Sequence, residues 1–282
     1  MFSRESITLD RGPLAPPELK WGRGHSDIPD LNNYARFLKK RLRLWGPAHR
    51  RSVGNKIAFT FSPHDTGLSQ EMLHGFYGDL KNIVRSFLKV DLPSDPVVWE
   101  YRGTNLDLVR RPLEKYLNNI AAIISVLQSP EDPLYFKLKR LFADFRKPSQ
   151  MVTAELIDKR WRKNEKGLYY NALLNAALGL MAKMGAVPWT LTSLLKADLY
   201  LGLDVIPGKA AVLTCFDREG RCRAERWRSI EGRVIPCKWV EDVLDEFLRE
   251  FERPWIVIHR DGDVPSSELE GLLKLRERCS VT

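Results

Sequence analysis

The stretch "NIAAIISVL" at residues 119–127 limits the fold more than any other segment. It is a continuous apolar run of strand length, without the alternation that a half-exposed strand would show. Such a run suits a strand buried on both faces, as in parallel sheets covered by helices on either side. Its surroundings agree. "KIAFTF" (56–61), "PVVWEY" (96–101) and "QMVT" (150–153) read as strands. Between and after them, "QEMLHGFYGDLKNIVRSFL" (70–88), "NLDLVRRPLEKYL" (105–117), "DPLYFKLKRLFADF" (132–145) and "LYYNALLNAALGLMAKMG" (168–185) have helical spacing. Pro133 stands near the start of the third helix, and Gly185 and Pro188 stop the fourth. This alternation predicts a Rossmann-like α/β domain over 56–190, preceded by an irregular lead-in at 1–55 with a short helical stretch near 31–44.

The pattern changes after a boundary near 190–197. "DLYLGLDV" (198–205), "KAAVLTCFD" (209–217) and "RCRAERWRSI" (221–230) read as three strands joined by tight turns at Pro207-Gly208 and Glu219-Gly220. A helix over 237–251 and the strand "PWIVIH" (254–259) follow. Three hairpin-connected strands, a crossover helix and a strand returning beside the first form the opening half of an RNase H-like layout. In that layout the first and fourth strands end side by side, which brings Asp204 and Asp261 together. Two neighbouring carboxylates repel unless a cation sits between them. A divalent metal, Mg2+ or Mn2+, is the usual answer, and paired metals clamp the attacking and leaving oxygens of a phosphodiester.

Charge narrows the partner. The chain carries a net +9, and the excess is clustered. Residues 36–51 hold seven Lys or Arg and no acid, and residues 137–166 hold ten against four acids. Aromatics interleave with both clusters (Trp45, Tyr135, Phe136, Phe142, Phe145, Trp161), a combination that points to a polyanion, although solvated helix faces produce such runs too. No stretch reaches the length of a membrane span, and "MFSRESITLDRG" lacks the apolar core of a secretory signal. The four cysteines (Cys215, Cys222, Cys237, Cys279) lack paired C-x-x-C spacing and read as scattered thiols of a cytoplasmic protein.

An ordered set of segments then matches a known family. "ELKWGRG" and "LRLWGPA" in the lead-in, "NALLNAALGLMAKMGAVPW" at the boundary, "YLGLDV" and "IVIHRDG" together span nearly the whole chain. The chain resembles the MID and PIWI domains of Argonaute proteins, in particular the short prokaryotic type without PAZ and N domains. The boundary helix is the most specific part, with Asn175 and Lys183 eight apart, then Met-Gly and Pro-Trp. The resemblance implies a MID-like domain over 56–190 that grips the 5′-phosphate of a guide strand. It implies the first part of a PIWI domain over 191–282, with RNA or DNA as guide and target in host defence. The positions that match the guide site are Tyr135, Lys139, Gln150, Asn175 and Lys183. Tyr135 and Lys139 lie four apart on one helix face, so one can stack on a base while the other meets phosphate. One departure stands out. Where many relatives carry another lysine four residues before Lys183, this chain has Gly179, which implies a weaker phosphate grip or one that borrows Arg146 or Lys147.

For catalysis the resemblance implies two aspartates, a glutamate on a loop and a final Asp or His. Asp204 and Asp261 fill the first two places. Glu231 in "SIEGRVIP" is the candidate glutamate, with Glu225 as its rival. Only 21 residues follow Asp261, enough for a helix over 266–278 and nothing more. The expectation is therefore a PIWI half with an uncovered apolar face and an open sheet edge. Three readings stay open: a guide-binding module that does not cut alone, a metal-dependent endonuclease completed by a second chain that supplies the rest of PIWI, and a scaffold that binds an effector or other protein partner.

Overall fold

A computed structural model describes residues 16–161, 165–249, 251–260, 262, 264–277 and 279–281. Two short strands open it, β1 (Leu19–Lys20) and β2 (Ser26–Asp27), and helix α1 (Tyr34–Trp45) follows. From residue 16 onward the lead-in is therefore more ordered than its composition implies. Trp21 is fully buried against Trp189 and Phe37, with ring centroids 5.6 and 6.1 Å away.

By its contacts the chain divides into two units, one formed by Lys20–His25 and Ala35–Trp189 and the other mainly by Thr190 onward. The first unit alternates strand and helix as the sequence predicts. Its elements are β3 (Lys56–Phe61), the short α2 (Pro63–Thr66), α3 (Gln70–Ile83), β4 (Val97–Glu100), α4 (Asp107–Tyr116), β5 (Ile120–Leu127), α5 (Leu134–Asp144), β6 (Ser149–Thr153), α6 (Ala154–Asp158) and α7 (Lys166–Lys183). The strands form a parallel sheet in the order β4-β3-β5-β6. β5 is central, and all of its residues but Ala121 are buried. On one face Ile123 and Leu127 pack with Leu113 of α4 and Leu138 and Phe142 of α5. On the other, Phe59 meets Phe76 and Tyr77 of α3 edge-on at 6.2 and 6.0 Å. Burying each large apolar side chain contributes about 1.5–3 kcal/mol. Asp132 starts α5 by accepting from Leu134 N at 2.9 Å, which leaves Pro133 as the N-cap residue. Gly185 takes φ 94 just past α7, a left-handed geometry that favours glycine.

The second unit begins with β7 (Thr190–Leu191), which completes a small sheet in the order β2-β1-β7. Then come β8 (Leu199–Ile206), β9 (Ala210–Asp217), β10 (Cys222–Ser229), α8 (Cys237–Leu248), β11 (Trp255–Arg260), α9 (Ser266–Lys274) and β12 (Ser280–Val281). The sheet order is β10-β9-β8-β11-β12, with β8 antiparallel to β9 and parallel to β11. The expected return of the late strand beside the first is what the fold contains. One face carries Leu199, Leu201, Leu203, Leu213 and Ile256 into a core roofed by α8 and α9. The opposite face keeps Trp227, Phe216 and Trp255 exposed at 55%, 37% and 38%. Two features depart from the sequence reading. α9 ends at Lys274, and the residues after it add β12, which pairs Ser280 with Trp255 and Val281 with Ile256. The edge of β11 is therefore partly closed. A two-residue strand leaves no periodic signal, which is why the sequence reads helix and nothing more.

A buried ion pair locks this unit. Arg260 Nε meets Glu268 Oε1 at 2.7 Å, with side chains 9% and 0% exposed. Glu268 Oε2 also accepts from Ile235 N at 3.1 Å, and Arg260 donates to the Arg233 carbonyl at 3.3 Å. The pair ties β11, α9 and the segment after β10 to one another.

Candidate functional site

β6 is the edge of its sheet, and α5 and α7 rise on either side of it. A cavity of about 440 Å³ opens there, lined by Tyr135 of α5, Gln150 and Met151 of β6 and Ala172, Asn175 and Ala176 of α7. Small side chains at 172 and 176 lower the α7 wall, and helical spacing puts Asn175, Gly179 and Lys183 on the same side. Tyr135 is half-buried and meets Phe136 edge-on at 5.1 Å, so its ring is held before any ligand arrives.

The two lysines converge just beyond Gln150. Lys139 Nζ donates to the Ser149 carbonyl at 3.2 Å and approaches its hydroxyl at 3.4 Å. Lys183 Nζ donates to the same carbonyl at 3.0 Å and to Gln150 Oε1 at 3.0 Å. Two ammonium groups thus gather round one neutral acceptor at the start of β6. The structure brings all five sequence-derived positions to one edge of the sheet: Tyr135, Gln150 and Asn175 line the cavity, and Lys139 and Lys183 meet beside it. Sequence reasoning missed Ser149, because its part is played by a backbone carbonyl; the available signal was its place directly before Gln150.

Gly179 has a local reason. A Cβ at that position would lie 2.8 Å from Gln150 Oε1. The glycine makes room for the amide that Lys183 holds, and a longer side chain would displace it. Lys147 does not join Gln150. Arg146 takes φ 52 after α5, and Lys147 Nζ donates to the Ile120 carbonyl at 2.9 Å. There it borders a second cavity of about 400 Å³, lined also by Arg51, Ser52, Asn55 and Lys183. Burial lowers the Lys147 pKa by disfavouring its charged form.

The basic helix α1 uses its aromatics internally: the Arg41 guanidinium lies over Trp45 and Phe37, 4.7 and 5.0 Å from the ring centroids. Lys39 reaches Asn171 of α7 at 2.6 Å. In the second basic cluster Phe142 is core, fully buried.

The candidate carboxylates are less gathered. Asp204 is exposed on β8, and its Oδ1 accepts from Val205 N at 2.6 Å. The β8–β11 ladder runs to Leu203 with Arg260, one residue short of Asp204. Asp261 lies outside the described residues. Glu231 is exposed, and the carbonyl of the next residue, Gly232, accepts from Gly208 N at 3.1 Å beside the β8–β9 turn. Glu225 accepts from Trp227 Nε1 at 2.8 Å on the exposed sheet face. Among the described residues no three His, Cys, Asp or Glu side chains group as a bound metal would require. No helix among them is long and apolar enough to cross a membrane.

No protein-family model matches the chain. It is 24% identical over 249 residues to the Argonaute protein of Methanocaldococcus jannaschii, an alignment covering 81% of this chain and 34% of that protein. Its fold matches the structure of Clostridium butyricum Argonaute bound to a guide DNA and a 19-mer target DNA, with a TM-score of 0.68 at 18% identity over 96% of this chain and 39% of that one. A. aeolicus Argonaute matches with a TM-score of 0.57 at 19% identity, again over 96% and 39%. The chain therefore spans about a third of the curated relative and about two-fifths of the solved structures. The Argonaute/Piwi resemblance read from the sequence holds in both comparisons, and the mixed α/β architecture is that of these fold neighbours.

Proposed function

We propose that this chain binds a short guide nucleic acid by its 5′-phosphate, through a MID-like domain over 56–190, and presents it for recognition of a target in prokaryotic defence. The single observation that carries the reading is the convergence of Lys139 and Lys183 on Ser149 and Gln150, next to a cavity walled by Tyr135. A terminal phosphate carries nearly two negative charges and needs more than one cation. Here two ammonium groups share an acceptor that a phosphate oxygen can replace. Tyr135 supplies a ring for the first base, a contact that tolerates any sequence.

The test is binding of 5′-phosphorylated and 5′-hydroxyl oligonucleotides, RNA and DNA, by fluorescence anisotropy. The wild type prefers the phosphorylated strands, and raised salt shrinks the preference through counterion release. Lys139→Ala and Lys183→Ala each weaken only the phosphorylated strands, by about ten- to a hundredfold, the range for a hydrogen bond to a charged group. Equal affinity of the wild type for both ends would sink the reading.

A second reading, a metal-dependent endonuclease completed by another chain, is favoured by the parallel pairing of β8 and β11, whose ends point the same way near Asp204. Asp204 and Asp261 would then hold Mg2+ or Mn2+, with Glu231 as the third carboxylate. Cleavage in the presence of the partner that is abolished in Asp204→Ala would support it, and metal-dependent cleavage unaffected by that change would refute it.

A further inference from the structure

We propose a second phosphate-binding site in the cavity bordered by Arg51, Lys147 and Lys183, adjoining the first through Lys183. The inference rests on the guide-binding reading and extends it to the ligand's next phosphate. Three observations carry it. The cations come from three separate places in the chain: the segment between α1 and β3, the turn after α5 and the last turn of α7. None of the described residues lining the cavity is acidic, while Ser52 and Asn55 add neutral polar groups. The turn after α5 also aims Lys147 inward. Lys147 N donates to the Phe142 carbonyl at 2.9 Å, and Nζ is fixed on the Ile120 carbonyl at 2.9 Å.

Elementary electrostatics then favours an anion. A half-buried ammonium held by a carbonyl has given up part of its hydration, and the fall in the Lys147 pKa reflects that cost. An incoming phosphate oxygen restores what burial removed. Lys183 already serves the first site through Gln150 and Ser149, so a group bound in the second cavity lies close to the terminal phosphate. Two sources supply such a group. One is the outer phosphate of a 5′-polyphosphate end, and the other is the phosphodiester that follows the first nucleotide.

The test uses the full chain and four probes: a 5′-hydroxyl, a 5′-monophosphate and a 5′-triphosphate oligonucleotide, and a single nucleoside 5′-monophosphate. Lys147→Met and Arg51→Met keep much of the side-chain bulk and remove the charge, and thermal melting confirms that each variant folds. If the outer phosphate is the ligand, the wild type binds the triphosphate about tenfold tighter than the monophosphate, and both variants erase the gain. If the phosphodiester is the ligand, both variants weaken the monophosphorylated oligonucleotide by about tenfold and leave the single nucleotide unchanged. In either case the salt slope falls by about 0.7 per lost contact for a single strand. Unchanged binding of every probe by both folded variants overturns the second site, while a retained preference for monophosphate over hydroxyl keeps the guide-binding reading intact. Loss of that preference in the wild type overturns both.

Discussion

Helices roof both faces of the β4-β3-β5-β6 sheet, whereas among the described residues α8 and α9 roof one face of β10-β9-β8-β11-β12. The candidate ligand groups differ in the same way. In the first unit Tyr135, Lys139 and Gln150 are half-buried and held by neighbours, so their geometry exists before a ligand binds. In the second, Asp204, Glu225 and Glu231 are exposed. Binding groups gain from being held in advance, because less side-chain freedom is lost when the ligand arrives. The difference teaches that the candidate groups of the first unit are positioned by neighbours within the fold, while those of the second lie open on its surface.

Substitutions can break or sharpen that contrast. The largest effect is expected at Glu268→Ala, which takes the carboxylate away from an Arg260 guanidinium that is only 9% exposed. Removing one partner of a buried pair costs about 3–5 kcal/mol, so chemical denaturation should show the second unit collapsing first. A loss below about 1 kcal/mol, of the kind surface pairs show, would mean that the pair does not lock the unit. Next comes Ile123→Ala in β5, where Ile123 is fully buried. The expected loss is about 2–5 kcal/mol, and a much smaller one would contradict the doubly covered sheet. Tyr135→Ala should weaken guide binding by about 1–3 kcal/mol whatever the first base, measured by anisotropy with four 5′ nucleotides. Discrimination of one base alone would replace stacking with edge recognition. The smallest effect is expected at Trp227→Ala on the exposed face, within about 0.5 kcal/mol in a melting experiment. A large loss there would show that this face is covered after all.

Much of this was legible in the residues. The apolar run in β5 announced a strand covered twice, and the hairpin order placed β11 beside β8. Tyr135, Lys139, Gln150, Asn175 and Lys183 come to one sheet edge because α5, β6 and α7 lie close in the chain, with only the short α6 between the last two, so local spacing carried through. What escaped was chemistry without a residue-type signature. The acceptor shared by the two lysines is the backbone of Ser149, and the turn that redirects Lys147 depends on Arg146 adopting φ 52. Glu268 reads as a polar helix residue in "SSELEGLLK", and its partners outside the helix, Arg260 and the Ile235 amide, explain its complete burial. β12 was too short to register. Asp261, the residue on which the catalytic reading turned, lies outside the described residues.

Lys183 borders the second cavity, and its ammonium donates to Ser149 and Gln150 beside the first. A single ammonium standing between two anions links their occupancies thermodynamically. Whatever factor the first ligand imposes on the affinity of the second, the second must impose on the first. Under the two-site proposal, length and phosphorylation state of a strand are sensed together, and a change at residue 183 moves both preferences.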